Sequence, residues 1–209
     1  MELLIKEDNV INKLIKEGKK VTNAITHELA QNCKCPANTL SIQVPYMHAA
    51  ELVNLNWNDI LFAIENNYFH YSVAVDYAAT LISENSKDDD PIFKLSCFFP
   101  SEIVKQEILD QFVVELAQGV SKKNKDETKN KVMYITLSWL FENKCFFQDI
   151  IGVVEMIYCD FDHPEIISNL IRYMPDETNY SQIFNTYEEK FLYNWQKYLQ
   201  DQKLKFAKT

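Results

Sequence analysis

Residues 55–68 read LNWNDILFAIENNY, and this stretch decides the predicted fold class. Its apolar residues recur at i, i+3, i+4 and i+7, the spacing of one buried helical face. They are Trp57, Ile60, Leu61 and Ile64. Asn56 stands at the N-cap position, and Asn66-Asn67 ends the pattern. The stretch therefore predicts a short amphipathic helix with a signal at each end.

The same arrangement of capping residue and apolar stripe recurs along the chain. It predicts further helices over 73–81, from Asp90-Pro91, and over 103–116, 132–140, 150–158, 166–173 and 187–199. Phe146 and Phe147 extend the apolar run at 150–158 beyond the usual length of a strand, so a helix is favoured there. Asp162 and Glu165 flank Pro164 and resemble a capping box for 166–173. We expect an all-α fold, one domain of about eight to ten short antiparallel helices in a solenoid-like stack or bundle.

The N-terminal part predicts a helical hairpin. Apolar residues of 3–15 roughly share one face, Gly18 suits a helix end, and 21–29 forms a second short face. Residues 31–39, QNCKCPANT, have the composition of a linker. We therefore divide the chain into a hairpin appendage over 1–40 and a main all-α domain over 41–209.

The charge balance points away from nucleic acid and membranes. The chain has 209 residues, with 30 Asp and Glu against 21 Lys and Arg, and its net charge is −9. Such a surface repels polyanions and attracts a basic protein. The densest basic stretch, 122–131, also contains acidic residues and is interpreted as a solvated loop and helix start.

The start of the chain and the cysteines predict a cytoplasmic protein. The opening residues MELLIKEDN place charges where a secretion signal needs an apolar core, and no uncharged run is long enough for a membrane span. Five cysteines without framework spacing are typical of free thiols in a reducing compartment.

The segment 160–165, DFDHPE, is the densest group of chemically active side chains. Asp160, Asp162, His163 and Glu165 suggest three alternatives: a helix corner with ordinary capping roles, an acidic recognition patch, or a divalent metal site. The helix corner is favoured, since neighbouring residues point in different directions.

Arg172 is the only arginine in the chain, and it follows the acidic segment by one predicted helix. We expect it to fold back onto Asp160 or Asp162 as an interior ion pair, with a partner-facing or anion-binding role as the alternative.

The aromatic run at 68–71 lies at a predicted helix junction and is expected to be partly exposed. Exposed aromatic residues are frequent anchors of protein interfaces. The candidate partner-binding residues are Asp160, Asp162, Glu165, Arg172, Tyr68 and Tyr71.

Catalytic and metal-binding motifs are missing from the sequence. It contains no G-x-S-x-G, H-E-x-x-H, G-x-x-x-x-G-K or G-x-G-x-x-G pattern. The residues His27, Cys33, Cys35 and His48 lack the spacing of a zinc site. The sequence therefore predicts a protein without enzymatic activity, cofactor or metal.

Three stretches resemble a bacterial family, the domain-of-unknown-function family 2247. They are 55–68, 137–144 (LSWLFENK) and, most strongly, YCDFDHPE at 158–165 continued through RYMP at 172–175. The resemblance covers residues 45–200 and implies a bacterial helical protein with no assigned activity.

Small acidic helical bacterial proteins without catalytic motifs are often immunity proteins of polymorphic toxin systems. By analogy with that class, we expect this chain to be an immunity protein that covers the active site of a basic cognate toxin. The alternatives are a metal-dependent activity at the Asp160–Glu165 cluster, or a structural or regulatory homo-oligomer that associates through residues 1–40.

Overall fold

The computed structural model describes residues 9–33, 37–82, 87, 90–98, 109–119, 125–174 and 184–206. These ranges hold helices α1 (Val10–Lys16), α2 (Asn23–Asn32), α3 (Tyr46–Leu52), α4 (Trp57–Glu65), α5 (Ser72–Leu81), α6 (Pro91–Ser96), α7 (Val114–Gly119), α8 (Lys125–Asn143), α9 (Ile150–Asp160) and α10 (Tyr187–Phe206). A π-helical turn, Leu109–Val113, precedes α7, and two 3₁₀ helices, Lys144–Phe146 and Glu165–Leu170, flank α9. The prediction of an all-α single domain is confirmed: the described residues form no strand, and only Val21 and Phe147 make an isolated bridge.

The predicted helix starts at α4 and α6 are confirmed in atomic detail. The Asn56 side chain accepts from the amides of Asn58 and Asp59, and the Asp59 carboxylate accepts from the Asn56 amide, which completes a capping box. The Asp90 side chain accepts from the Ile92 amide, with Pro91 in the first helical turn. These caps satisfy amides that a helix leaves without a partner inside itself.

Within the described ranges, three helices end in the same left-handed turn. Gly18, Asn67 and Asp162 have φ of 68°, 62° and 59° after α1, α4 and α9. At each end, two amides donate back to the last-turn carbonyls, which is a Schellman motif. After α4 the Tyr68 amide bonds the Ala63 carbonyl at 2.7 Å, and after α9 the His163 amide bonds the Tyr158 carbonyl at 2.9 Å. The helix end predicted at 66–67 is therefore a left-handed turn, and it brings the backbone of Tyr68 back against the last turn of α4.

Helix α8 lies at the centre of the fold. It packs against α3, α4 and α10, and every residue from 131 to 140 is buried. A helix that neighbours surround has no solvent face for polar residues, which explains its weak amphipathic pattern. Its buried polar hydroxyl at Thr136 donates to the Val132 carbonyl one turn earlier.

A buried ion pair joins α4 to α8. The Lys131 ammonium lies 2.5 Å from the Asp59 carboxylate and also donates to the Asn54 carbonyl at 3.1 Å. The Thr128 hydroxyl donates to the other Asp59 oxygen at 3.2 Å. The interpretation of 122–131 as solvated is therefore wrong for Lys131, and residues 122–124 lie outside the described ranges.

The N-terminal segment shares the hydrophobic core with the rest of the chain. Ile11 and Val21 are fully covered, and the Val21 amide bonds the Phe146 carbonyl at 2.7 Å. In the predicted linker, the buried Asn38 amide group donates to the carbonyls of Ile42 and Asn67, both at 2.9 Å. The linker's residues 34–36 lie outside the described ranges, as do Leu3 and Leu4. The boundary at residue 40 stays a prediction.

Two local expectations around α9 need correction. The helix over 150–158 is confirmed, but Phe146 and Phe147 do not extend it, because Asp149 caps its first turn. The helix expected over 166–173 is the 3₁₀ helix Glu165–Leu170, whose N-cap, Pro164, has no side-chain hydrogen bond. Asp162 makes no capping box because it occupies the left-handed turn after α9.

Other expectations fall only partly on the described residues. The helix predicted over 103–116 appears as the π-turn and the start of α7, while residues 99–108 lie outside the described ranges.

None of the helices in the described part of the chain combines the length and apolar character that crossing a bilayer requires.

Candidate functional site

A groove opens where the end of α4, the first turns of α8 and the end of α9 meet. Its volume is about 710 Å³, within the range of ligand-binding clefts. Apolar side chains that line it are Leu61, Phe62, Tyr68 and Phe161. Charged side chains that line it are Glu65, Lys125, Asp126, Lys129, Asp160 and Asp162. We call the apolar side chains the floor of the groove and the charged ones its rim, and on the rim carboxylates outnumber ammonium groups.

Tyr68 and Phe161 connect the two sides of the groove. Their ring centroids lie 4.9 Å apart, and both side chains are almost fully buried, at 1% and 2% exposure. The expectation that Tyr68 is partly exposed is wrong. The Schellman turn at Asn67 directs the following residue back onto its own helix, so Tyr68 packs inward.

Asp160 is held by the N-terminal segment. Its carboxylate accepts from the Thr39 amide at 2.8 Å and from the Thr39 hydroxyl. Burial raises the pKa of Asp160 above its ordinary value, and the two hydrogen bonds from Thr39 offset that shift in part. The carboxylate therefore fixes the chain at Thr39 and lines the groove at the same time.

The Asp160→Asn variant is expected to be at least as stable as the parent at pH 7, with a gain below about 1 kcal/mol. The asparagine oxygen keeps the bond from the Thr39 amide, the asparagine NH₂ donates to the Thr39 hydroxyl, and a partly buried charge at a helix C-terminus is removed. The raised pKa means that the folded parent binds its proton more tightly than the unfolded chain.

Urea unfolding of the Asp160→Asn variant and the parent as a function of pH checks this expectation. As the pH falls through the folded-state pKa, the parent gains stability and the difference from the variant shrinks. The matched variant Asp160→Ala loses both acceptors and is expected to be less stable at every pH. A clear loss of stability in Asp160→Asn at pH 7 would show that the charge itself stabilises the fold.

Asp162 stands on the outer edge of the groove. Its carboxylate is 87% exposed and pairs with the Lys129 ammonium at 2.5 Å. The hydrogen bond and charge of Lys129 lower the pKa of Asp162, so the carboxylate is ionised throughout the neutral range. Lys129 could not be paired with Asp162 from the sequence, because nothing local links it to a residue thirty-three positions later.

The ends of three helices contribute to the electrostatic field in the groove. The carboxyl ends of α4 and α9 both reach it, at Glu65 and at Asp160. A helix C-terminus carries a partial negative charge, which has the same sign as these two side chains. The amino end of α8 brings a partial positive charge to the groove next to Asp126. The α4 and α9 side of the groove is therefore the one that attracts a cation.

Arg172 lies outside the groove and does not contact the acidic segment. Its guanidinium makes two bonds to the Glu155 carboxylate, at 2.9 and 2.6 Å, and lies 4.0 Å from Asp149. The expectation of an ion pair with Asp160 or Asp162 is therefore wrong, because Arg172 reaches Glu155, which lies five and seven positions before the two aspartates. The pair lowers the pKa of Glu155 and raises that of Arg172.

The remaining candidates do not line the groove. Glu165 is exposed on the 3₁₀ helix, and Tyr71 is half-buried against His70, with ring centroids 3.9 Å apart. Asp160 and Asp162 engage different partners, so the acidic segment does not converge on one point.

In the described part of the chain no three His, Cys, Asp or Glu side chains form a group suited to a metal ion. Cys35 lies outside that part.

Comparison with known proteins gives one match. A family model for DUF2247, described as an uncharacterized protein conserved in bacteria, matches residues 47–203. No curated protein and no solved structure matches the chain. The match covers most of the chain and every groove-lining residue except Ala37. The resemblance noted in the sequence is thereby confirmed: the chain belongs to the bacterial DUF2247 family.

Proposed function

We propose that this chain is a non-enzymatic, cytoplasmic binding protein that takes up a basic protein partner in the groove between α4, α8 and α9. The partner class proposed is a cognate toxin of a polymorphic toxin system, which the chain neutralises as an immunity protein by covering the toxin's active site. The observation that carries the proposal is the groove itself, an apolar floor bordered by four carboxylates.

The charge of the chain supports a basic partner over an acidic one. The net charge is −9, and the groove concentrates Glu65, Asp126, Asp160 and Asp162 around one opening. Opposite charges steer two proteins toward each other and raise the association rate, an effect that salt weakens. An inhibitor that must capture a toxin quickly gains from such steering.

The floor of the groove supports a protein partner over a free cation. Leu61 and Phe62 are half-buried there and offer apolar area to a side chain from another molecule. Interfaces concentrate their binding energy in a few anchors that enter such apolar pockets, while charged residues at the rim set orientation and rate. Both features occur here in one opening.

The proposal is tested by capture of the partner with the tagged full-length chain from its own bacterial host, followed by mass spectrometry and purification of the pair. We expect one near-stoichiometric basic protein whose toxic activity the chain inhibits at equimolar concentration. The groove variant Glu65→Gln/Asp126→Asn/Asp162→Asn should weaken the affinity by at least about tenfold at physiological salt.

A control variant carries the same change in charge away from the groove, at Glu28→Gln/Glu188→Gln/Asp201→Asn. These three side chains are exposed and do not line the groove. The control should keep its affinity within about twofold. Self-association alone, or a partner that binds both triple variants equally well, would overturn the assignment of the groove.

A further inference from the structure

We infer that the groove is a subsite for an arginine side chain of the partner, with the Asp162 carboxylate as its ligand, and that Lys129 is an internal competitor for this position. The inference rests on the proposed function and specifies the chemistry by which the partner is recognised.

The Asp162 carboxylate already binds a cationic group of the protein itself, the Lys129 ammonium. This ammonium bonds only one carboxylate oxygen, Oδ2, at 2.5 Å. The pair lines the groove, where the Asp162 side chain is 87% exposed and the Lys129 side chain 28%. Exposed ion pairs contribute little to stability, so a stronger ligand displaces the lysine at small cost.

An arginine side chain fits this position better than a lysine. A guanidinium presents a planar fork that engages both oxygens of a carboxylate, whereas an ammonium acts as a point charge. The fork would use Oδ1 of Asp162, which the Lys129 bond leaves unused. Phe62, half-buried on the floor, offers an aromatic surface of the kind on which guanidinium groups stack.

The surroundings hold a cation even when Lys129 moves away. Glu65 and Asp160 line the same opening, at the carboxyl ends of α4 and α9. The partial negative charges of two helix ends and the charges of these side chains therefore act together on one bound cation. At about 710 Å³, the groove has room for a side chain together with the backbone that bears it.

The test uses the full chain and two synthetic peptides, hexa-arginine and hexa-lysine, at physiological salt. Binding is followed by NMR on the side-chain amides of Asn58 and Asn66, which both line the groove. We expect hexa-arginine to shift these signals and to bind at least about threefold more tightly than hexa-lysine. Asp162→Asn should weaken hexa-arginine binding, and Lys129→Met should strengthen it, each by about threefold or more.

Matched controls separate a specific subsite from general attraction to an acidic protein. Lys203→Met changes the net charge as Lys129→Met does, and Glu188→Gln changes it as Asp162→Asn does, both at exposed positions on α10. Neither control should alter hexa-arginine binding by more than about 1.5-fold.

Two results would overturn the inference: shifts spread over the acidic surface without preference for the groove, or equal effects of Lys129→Met and Lys203→Met. Neither result affects the partner capture described above, which tests the proposed function separately. Conversely, hexa-arginine binding in the groove without any basic partner in the lysate would sustain the subsite and reject the immunity function.

Discussion

Replacing Lys131 by methionine is expected to lower the free energy of unfolding by about 3–5 kcal/mol. The substitution leaves the Asp59 carboxylate, which has no exposed surface, without its positive partner. It also removes the donor to the Asn54 carbonyl. An unpaired buried charge costs far more than the net value of the pair, because its desolvation is no longer compensated.

Lys129→Met is the matched control for this substitution. Both lysines lie on α8, two positions apart, and both pair with a carboxylate at 2.5 Å, but the Lys129–Asp162 pair is open to solvent. Its loss should cost less than about 1 kcal/mol. Urea unfolding followed by circular dichroism measures both values. Equal losses of unfolding free energy in the two variants would contradict the prediction that burial makes the Asp59–Lys131 pair the more important one.

A double variant, Asp59→Asn/Lys131→Met, separates the buried charge from packing. The asparagine keeps an oxygen that accepts from the Asn56 amide, while no charge remains inside. We expect it to regain at least about half of the stability lost in Lys131→Met. If the double variant is less stable than Lys131→Met alone, the ion pair contributes through its hydrogen bonds more than through its charges.

Replacing Phe161 by alanine is expected to cost about 3–5 kcal/mol, the usual range for a buried phenylalanine. Phe161 is 2% exposed, follows the last turn of α9 and packs on the Tyr68 ring after α4. Its removal leaves a cavity between the two helix ends that border the groove. The groove should therefore lose its shape together with the stability of the fold.

Phe161→Leu keeps most of the side-chain volume and should cost less than about 1.5 kcal/mol. Unfolding in urea gives the two stabilities, and the Asn58 and Asn66 amide signals report the groove while the protein is still folded. A Phe161→Ala variant with nearly parental stability would mean that the surrounding side chains collapse into the space. The Phe161–Tyr68 contact would then not hold the groove open.

Local patterns in the sequence were sufficient for the fold class and for several helix ends. The spacing of Trp57, Ile60 and Ile64 placed α4, because a helix must bury one face. Asn56 and Asp90 placed two helix starts, since a cap acts on amides within three residues of itself. The stop at 66–67 and the helical state of 150–158 were equally local. The resemblance to the family lay in short blocks of sequence, and the family-model match to residues 47–203 confirmed it.

The candidate site could be predicted only in part. Asp160 and Asp162 were named as candidate partner-binding residues, although a helix corner was favoured for their segment, and both line the groove. Tyr68 lines it too, but as a buried residue, because the left-handed turn before it reverses the direction of the chain. Leu61 and Phe62 could not be assigned to the floor, since periodicity marks a helical face as apolar without saying which neighbour covers it.

Tertiary structure alone decided which charges meet. Lys131 is buried against Asp59, seventy-two positions away, Lys129 reaches Asp162, and Arg172 binds Glu155 in place of the aspartates. Side-chain spacing along one helix carries no information about these pairs, because each depends on how two helices are placed in space. The sequence by itself determined the helical fold class and several helix ends through short-range hydrogen bonds and periodicity. Long-range packing determined the groove, its charges and the burial of its aromatic residues.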